Sequence, residues 1–187
     1  WAVVAAGGGG RRRGRGFAMH ELARAAQTRV EQTREGVLWV VPIHKVGVGV
    51  AADDPWWPTL AVSRHPRIQT VPGGDTRADS VRNGVAAVRD EGGADAWVLV
   101  HDMARPLIRL SDIQSLLDQT GPQGAILALP VVDTIKQAAE ETHIAATLDR
   151  AHIWRALTPQ PFPAQALLAA LQGDRPTITH EAPAPDR

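Results

Sequence analysis

The sequence contains no cysteine among its 187 residues. That absence excludes a disulfide framework and any thiolate metal site. Lysine is scarce as well, because Lys45 and Lys136 are the only two among 20 basic residues. A phosphate-binding site in this chain must therefore consist mostly of arginine guanidinium groups. The formal net charge is zero, so the overall charge favours neither nucleic acid nor a membrane surface as a partner.

Long apolar runs are also missing. No run approaches the roughly 18 residues that a membrane span requires, and the first ten residues lack the basic start of a signal peptide. We therefore expect a cytoplasmic protein with no membrane partner. The length suits one sizeable core, which predicts a single domain over residues 1–187.

The stretch from Val98 to Pro106 is the centre of the sequence interpretation. Its apolar residues 98–100 suit a strand buried on both faces of a parallel sheet, and Pro106 cannot continue the hydrogen bonds of such a strand. Asp102 and Arg105 would then lie at the carboxyl end of the strand, the edge where open α/β sheets bind ligands. An acid beside an arginine suits a metal ion and a phosphate. The alternative is an ion pair that only ties down a loop.

A glycine-rich turn follows the first predicted strand, Ala2–Ala5. Residues 6–16 combine glycines with arginines, and the backbone amides of such a turn can cradle phosphate oxygens. A nucleotide triphosphate site needs this arrangement. The alternative is a flexible Arg-Gly arm that binds RNA nonspecifically. Residues 19–33 then show a weak helical pattern.

Two more short strands are predicted at residues 45–51 and 67–71, before an amphipathic helix over residues 76–88. The first turn of this helix carries Asp79 and Ser80 and follows a double glycine. The turn is either an anion or hydroxyl site or an ordinary helix cap, and the sequence leaves both interpretations open.

Polar residues recur after the next apolar run. Residues 124–130 suit a further buried strand, and Asp133, Thr134 and Lys136 come after it. Because two successive β-α units place polar residues at one sheet edge, we favour an active site over an isolated ion pair. The remaining patterns predict a helix over 112–119 capped by Ser111, a two-stranded arm over 134–148, an irregular proline-rich segment over 154–162 and a helix over 163–172.

Five motifs, in this order, resemble those of the 2-C-methyl-D-erythritol 4-phosphate cytidylyltransferase family of the non-mevalonate isoprenoid pathway. They are GGDTRADSV (73–81), VLVHDMARP (98–106), PVVDTIK (130–136), LDR (148–150) and ALTPQPF (156–162). The resemblance implies an α/β fold of the Rossmann-like, GT-A-like nucleotidyltransferase type, with a mostly parallel sheet flanked by helices and a protruding β-arm. It also implies transfer of CMP from CTP to methylerythritol phosphate with release of pyrophosphate. Mg²⁺ would be the cofactor, and nucleic acid would not be a partner.

The resemblance further implies roles for individual residues. Asp102 would hold the Mg²⁺, and the catalytic residues would be Arg12, Asp102, Arg105 and Arg150. The nucleotide would contact Ala6, Gly8, Gly10, Arg12, Gly74, Asp75, Ser80 and Met103. The polyol phosphate would face Arg105, Thr134, Arg150 and Thr158. The arm between Thr134 and Thr158 would be exchanged across a homodimer.

The chain departs from the family in two places. Residues 18–20 are Ala-Met-His, where the family has a Pro-Lys-Gln motif whose lysine contacts the α-phosphate. Altered identity at constant length over residues 13–41 leads us to hypothesise a pair of compensating frameshifts in the encoding DNA. We also expect the family's last strand, with a second phosphate-binding lysine, and its closing helix to be missing. Losing one preorganised cation typically lowers a rate about 100- to 1,000-fold, so we expect an impaired enzyme.

Two other functions are compatible with the sequence alone. Related cytidylyltransferases act on other polyol phosphates, such as ribitol 5-phosphate, and share the glycine-rich loop, the HDxxRP edge and the arm. The second alternative is a degenerate, non-catalytic α/β domain whose Arg-Gly arm at residues 11–16 binds RNA.

Overall fold

The computed structural model describes residues 1–5, 43–103, 105, 107–140 and 142–172. Its strands are β1 Ala2–Ala5, β2 Val46–Val50, β3 Ile68–Pro72, β4 Trp97–Asp102, β5 Leu127–Pro130, β6 Ile135–Glu140, β7 His143–Leu148, β8 Trp154–Leu157 and β9 Gln160–Pro163. Its α-helices are α1 Arg77–Gly92, α2 Leu110–Asp118 and α3 Ala164–Gln172. Short 3-10 helices cover Trp57–Thr59, Ala61–Arg64 and Arg150–His152. The described part contains no helix long and apolar enough to cross a membrane.

A central sheet with the order β3-β2-β1-β4-β9 carries the described structure. The first four strands are parallel, and β9 pairs antiparallel with β4 at the edge. Valine dominates the central strands, and along β1 the side chains of Ala2 and Val4 enter one core cluster while Val3 enters the other. The sheet is therefore buried on both faces, as the apolar runs predicted. Helices α1 and α3 pack on the Val3 face, and α2 packs on the opposite face.

Helix α1 begins at the carboxyl edge of the sheet with a full capping box. The Thr76 hydroxyl accepts a hydrogen bond from the Asp79 amide (3.1 Å), and the Asp79 carboxylate accepts from the Thr76 amide (3.1 Å) and hydroxyl (2.6 Å). These bonds satisfy amide groups that a helix start otherwise leaves unpaired. The ordinary-cap interpretation of this turn is thus confirmed for Asp79.

The run at residues 124–130 is not a buried strand of the central sheet, so that prediction was wrong. Only β5 forms there, and it pairs antiparallel with β8 in a separate two-stranded sheet whose residues are half-buried or exposed. The edge of β4 is occupied by β9 instead, with Val98 opposite Phe162. A turn precedes β5, and in it the Gly124 amide donates a hydrogen bond to the Gly121 carbonyl (3.0 Å).

Residues 154–162 are also more regular than predicted. They form β8 and most of β9 on either side of the cis peptide bond between Thr158 and Pro159. Pro161 and Pro163 lie in β9, where an edge strand tolerates residues without an amide hydrogen. Ser111 is likewise not the cap of α2, because that helix begins at Leu110, two residues earlier than predicted, with Arg109 at the capping position.

The predicted arm is confirmed. Strands β6 and β7 pair with each other in their own two-stranded sheet, and all six residues of β7 are exposed. Across the arm the Lys136 ammonium donates to the Thr147 hydroxyl (2.6 Å). The predictions for the glycine-rich turn at 6–16 and the helix at 19–33 lie outside the described residues.

We predict that Gly84→Ala destabilises the fold. Gly84 is buried where α1 crosses β1, and a Cβ there would lie 2.5 Å from the Val3 Cγ1 atom. Overpacking typically costs about 1–3 kcal/mol, against a gain of about 1 kcal/mol from replacing a helical glycine. We therefore expect a net loss of roughly 1 kcal/mol, measured by urea unfolding. Val3→Ala in the same background should relieve the clash, so strictly additive losses in the double variant would contradict this packing.

Candidate functional site

Asp102 ends β4 with its carboxylate between two arginines. Its Oδ1 atom accepts hydrogen bonds from Arg77 Nε (2.8 Å) and lies 2.6 Å from Arg77 Nη2. Its Oδ2 atom accepts from Arg105 Nε at a longer 3.3 Å, and the Arg105 amide donates to the Asp102 carbonyl (3.0 Å). The Asp102 side chain is 20% exposed. The carboxylate is thus desolvated on most sides and electrostatically paired on both oxygens.

The protonation of Asp102 follows from this pairing. Burial alone would raise the pKa of its carboxyl, but the charge and hydrogen bonds of Arg77, and then those of Arg105, outweigh the burial. The pKa of Asp102 therefore lies below its ordinary value, and the group is a carboxylate at neutral pH. Of the two arginines, only Arg105 is predictable from the motif that contains Asp102.

Arg77 is the site residue that the sequence analysis missed. It is the first residue of α1, next to the Thr76 cap, and lies 25 positions before Asp102 in the chain. A helix that follows a parallel strand begins at the carboxyl edge of the sheet, where β4 also ends. That rule, applied to the first residue of α1, was the available signal.

His101 supports this edge from behind. It is fully buried, its Nε2 atom lies 3.0 Å from the Arg105 carbonyl, and its Nδ1 atom lies 3.1 Å from the Thr158 hydroxyl. A carbonyl only accepts, so Nε2 carries the proton and Nδ1 accepts from the Thr158 hydroxyl. The same hydroxyl oxygen accepts from the Asp102 amide (3.2 Å). Neutral His101 and Thr158 therefore link the connection between β8 and β9 to both ends of the Asp102–Arg105 turn.

Thr158 has a different setting from the one the resemblance implied. Its side chain is buried, and its hydroxyl group already donates to His101 Nδ1 and accepts from the Asp102 amide. This geometry gives it a supporting position behind the carboxylate. Direct contact with a polyol phosphate stays a prediction.

The predicted nucleotide-binding residues fall into exposed and buried groups. Gly74 is half-buried and Asp75 is exposed. Ser80 is fully buried, and its hydroxyl accepts from the Gly74 amide (3.0 Å) and donates to the Thr76 carbonyl (3.1 Å). A Cβ at Gly74 would approach the Asp79 carbonyl carbon to 2.9 Å and the Ser80 amide to 3.0 Å. Ser80 therefore fixes the shape of the Gly74–Asp75 segment.

Met103 is not available as a side-chain contact for a nucleotide. It is 1% exposed and belongs to the core cluster on the α2 face of the sheet. The burial of this side chain is expected, because a large apolar group gains more from burial than from exposure at the sheet edge. A contact between Met103 and the nucleotide stays a prediction, and its backbone would have to make it. Ala6, Gly8, Gly10 and Arg12 lie outside the described residues.

Arg150 and Thr134 lie together at the base of the arm. Arg150 donates from Nη1 to the Val132 carbonyl, two residues before the exposed Thr134. The short helix that starts at Arg150 is capped by Asp149, whose carboxylate accepts from the Ala151 amide (3.0 Å). Because β5 is outside the central sheet, Asp133, Thr134 and Lys136 do not share a parallel-strand edge with Asp102 as predicted. They form a second polar group on the arm.

The described residues suit Mg²⁺ delivered with phosphates better than a metal held by protein alone. No group of three His, Asp or Glu side chains converges in the described ranges. Mg²⁺ commonly binds one or two carboxylates together with substrate phosphates and water. The ionised Asp102 at the sheet edge fits that donor set.

Comparisons with known proteins agree on one family. The family model described as IspD, 2-C-methyl-D-erythritol 4-phosphate cytidylyltransferase, matches residues 1–184. A protein named 2-C-methyl-D-erythritol 4-phosphate cytidylyltransferase from Actinobacillus pleuropneumoniae serotype 7 is 43% identical over 187 residues, covering 98% of this chain and 80% of its own. The protein of the same name from Pseudomonas putida is 42% identical over 174 residues, covering 91% of this chain and 74% of its own.

Solved structures give the same result. The crystal structure of 4-diphosphocytidyl-2C-methyl-D-erythritol synthase superposes with a TM-score of 0.79 at 31% identity, covering 96% of this chain and 79% of that one. The Francisella tularensis 2-C-methyl-D-erythritol 4-phosphate cytidylyltransferase superposes with a TM-score of 0.76 at 28% identity, covering 91% of this chain and 75% of its own. The fold class is thereby confirmed as the nucleotidyltransferase type with a mostly parallel sheet.

We predict that His101 makes the fold sensitive to mildly acidic pH. Burial lowers the pKa of His101, with partial offset from its hydrogen bond to the Arg105 carbonyl and the charge of Asp102. The unfolded chain therefore takes up a proton below about pH 6.5 that the folded chain does not, and stability falls as pH falls. The slope contributed by one proton approaches about 1.4 kcal/mol per pH unit.

Urea unfolding between about pH 7.5 and 5.5 measures this slope. His101→Gln should flatten it, whereas the same change at the exposed His152 should not. The lowered pKa of Asp102 acts in a separate window, because it removes stability only below about pH 3.9. An unchanged slope in His101→Gln would contradict the buried neutral imidazole.

Proposed function

The chain belongs to the 2-C-methyl-D-erythritol 4-phosphate cytidylyltransferase family, and we propose that it transfers the cytidylyl group at the sheet edge around Asp102. The reaction joins CMP from CTP to 2-C-methyl-D-erythritol 4-phosphate and releases pyrophosphate, a step of isoprenoid biosynthesis. One observation carries the assignment of the site. An ionised carboxylate, flanked by two arginines, stands at the carboxyl end of a central parallel strand.

The reaction requires the protein to align the reacting groups and to supply positive charge. An oxygen of the substrate's phosphate attacks the α-phosphorus of CTP, a new P–O bond forms, and the bond to the β-phosphate oxygen breaks so that pyrophosphate leaves with the electron pair. The second pKa of a phosphate monoester is about 6, so this oxygen is already largely ionised at neutral pH and no general base is required. The protein must hold the reacting groups in line and offset the charge on the α-phosphoryl group.

Asp102 and Arg105 divide these tasks. The carboxylate would hold Mg²⁺, which when bound offsets charge on the CTP phosphates. Arg105 is 43% exposed and contacts Asp102 at 3.3 Å, so its guanidinium can turn to a phosphate without leaving a buried position. An arginine presents paired donors that match phosphate oxygens. Arg105 is therefore assigned to the substrate phosphate.

The arm supplies the second polar group. Arg150 and the exposed Thr134 lie at its base, as expected for residues that face the polyol phosphate in the family. We assign the arm to a homodimer contact because large apolar side chains are exposed there and beside it. Ile144 is 66% exposed, Trp154 59% and Val132 75%. Covering these side chains with a second copy of the chain would remove their apolar surface from water.

We predict that Asp102→Asn lowers kcat/KM for cytidylyl transfer about 100- to 1,000-fold, because it removes the charge while keeping the side-chain size. The measurement is pyrophosphate release from CTP and methylerythritol phosphate with Mg²⁺. Asp118→Asn makes the same change on the exposed face of α2 and should retain full activity. If Asp102→Asn lowers kcat/KM by less than about threefold, Asp102 does not act in the reaction, since a tenfold loss corresponds to about 1.4 kcal/mol of transition-state stabilisation.

A panel of polyol phosphates separates this function from cytidylyl transfer to another polyol phosphate. Ribitol 5-phosphate in place of methylerythritol phosphate should give far slower pyrophosphate release at equal CTP. Faster release with ribitol 5-phosphate would reassign the polyol. The same assay of the unaltered chain tests the expected impairment.

We predict that Ile144→Asp shifts the chain from dimer to monomer. Burying one such side chain contributes about 1.5–3 kcal/mol, and a two-fold interface contains it twice, so the dissociation constant should rise at least about 100-fold. Light scattering after size-exclusion chromatography measures the mass. Leu110→Asp is the matched control, because Leu110 is 49% exposed outside the arm. A monomeric parent chain at micromolar concentration would contradict the dimer.

A further inference from the structure

The two arginines on Asp102 are not equivalent. Arg77 places both Nε and Nη2 against Oδ1, at 2.8 and 2.6 Å, and its side chain is 30% exposed. Arg105 offers one longer contact to Oδ2 and is 43% exposed. Arg77 is therefore the closer and more deeply placed partner. Oδ2 is the oxygen that an incoming ligand can reach by displacing the weaker contact.

Arg77 also stands on a rigid base. It follows the N-cap Thr76, which exchanges hydrogen bonds with Asp79 in the capping box. Asp79 is further paired with Arg82 (2.8 Å), and the neighbouring Gly74 amide donates to Ser80 (3.0 Å). The start of α1 and the Gly74–Asp75 segment are thus one hydrogen-bonded unit. Arg77 connects that unit to the carboxylate at the end of β4.

Charge around the carboxylate sets what it can bind. Each of the two carboxylate oxygens of Asp102 has an arginine against it. A divalent cation approaching alone must displace one arginine from its oxygen and is repelled by the arginine that remains. The same cation bound to a triphosphate brings negative charge that the arginines attract.

We propose that Arg77 is a positioning residue that holds Oδ1 of Asp102 and makes the carboxylate accept a divalent cation only together with the nucleotide's phosphates. The proposal rests on the function proposed above for the Asp102 edge. Arg77 keeps its contact throughout, and Arg105 moves from Oδ2 to a phosphate as the metal–nucleotide complex enters. Without Arg77 the carboxylate is free to capture a bare cation.

Electron paramagnetic resonance of Mn²⁺, titrated into the full chain without nucleotide, tests this proposal independently of activity. The parent chain should show no Asp102-dependent binding up to millimolar Mn²⁺. Arg77→Gln should gain affinity for Mn²⁺ at least about tenfold, because it removes a positive charge beside the site. The double variant Arg77→Gln/Asp102→Asn should lose that gain. Thermal unfolding confirms that each variant is folded.

Two controls separate charge from general perturbation. Arg77→Lys keeps the positive charge and should exclude bare Mn²⁺ as the parent does. Arg89→Gln removes an arginine from the last turn of the same helix, where it pairs with Asp90 instead of Asp102, and should also behave as the parent. Asp102-dependent Mn²⁺ binding of equal strength in the parent and Arg77→Gln would overturn the proposal. Pyrophosphate release that depends on Asp102 would then still support the proposed function.

Discussion

The ion pair between Arg77 and Asp102 is the interaction on which the site depends. A carboxylate that is four-fifths shielded from solvent at the end of a buried strand would tend to take up a proton, since burial disfavours the charged form. Arg77 reverses that tendency at a distance of 2.6–2.8 Å. The lowered pKa of Asp102 therefore depends on a residue from another element. This coupling requires β4 and the start of α1 to keep a fixed separation.

That separation is maintained by hydrogen bonds behind the carboxylate, away from the open side of the site. His101 joins the Arg105 carbonyl to the Thr158 hydroxyl, and Thr158 in turn accepts from the Asp102 amide. These bonds fix the backbone of Asp102 from the β9 side, while the capping box fixes Arg77 from the α1 side. The bond from the Thr158 hydroxyl to His101 Nδ1 forms only when His101 is neutral, and the contact with Arg77 keeps Asp102 charged. The protonation states of the two residues are thus set by the same local structure.

Local sequence patterns were sufficient to predict the elements whose own spacing of apolar residues defines a buried face. Strands β1 to β4 and helix α1 were predictable because apolar runs, helical spacing and a helix cap are properties of short segments. The pairing of β4 with β9 was not, because the run at 124–130 and the segment at 160–163 compete for the same edge, and only tertiary contacts decide. Proline in β9 suggested irregular structure, but an edge strand has no need of every amide hydrogen.

The candidate site shows the same limit at the level of side chains. Asp102 and Arg105 lie three positions apart, so one motif contains both, whereas Arg77 and Thr158 reach Asp102 from 25 and 56 positions away. Ser80, Met103 and Thr158 belong to the family motifs, but each is buried and supports the site from within. A motif therefore includes residues that shape the site as well as residues that touch the substrate. Burial and hydrogen-bond partners indicate which residues shape the site, and they show that the side chains of Asp102 and Arg105 are partly open to an incoming ligand.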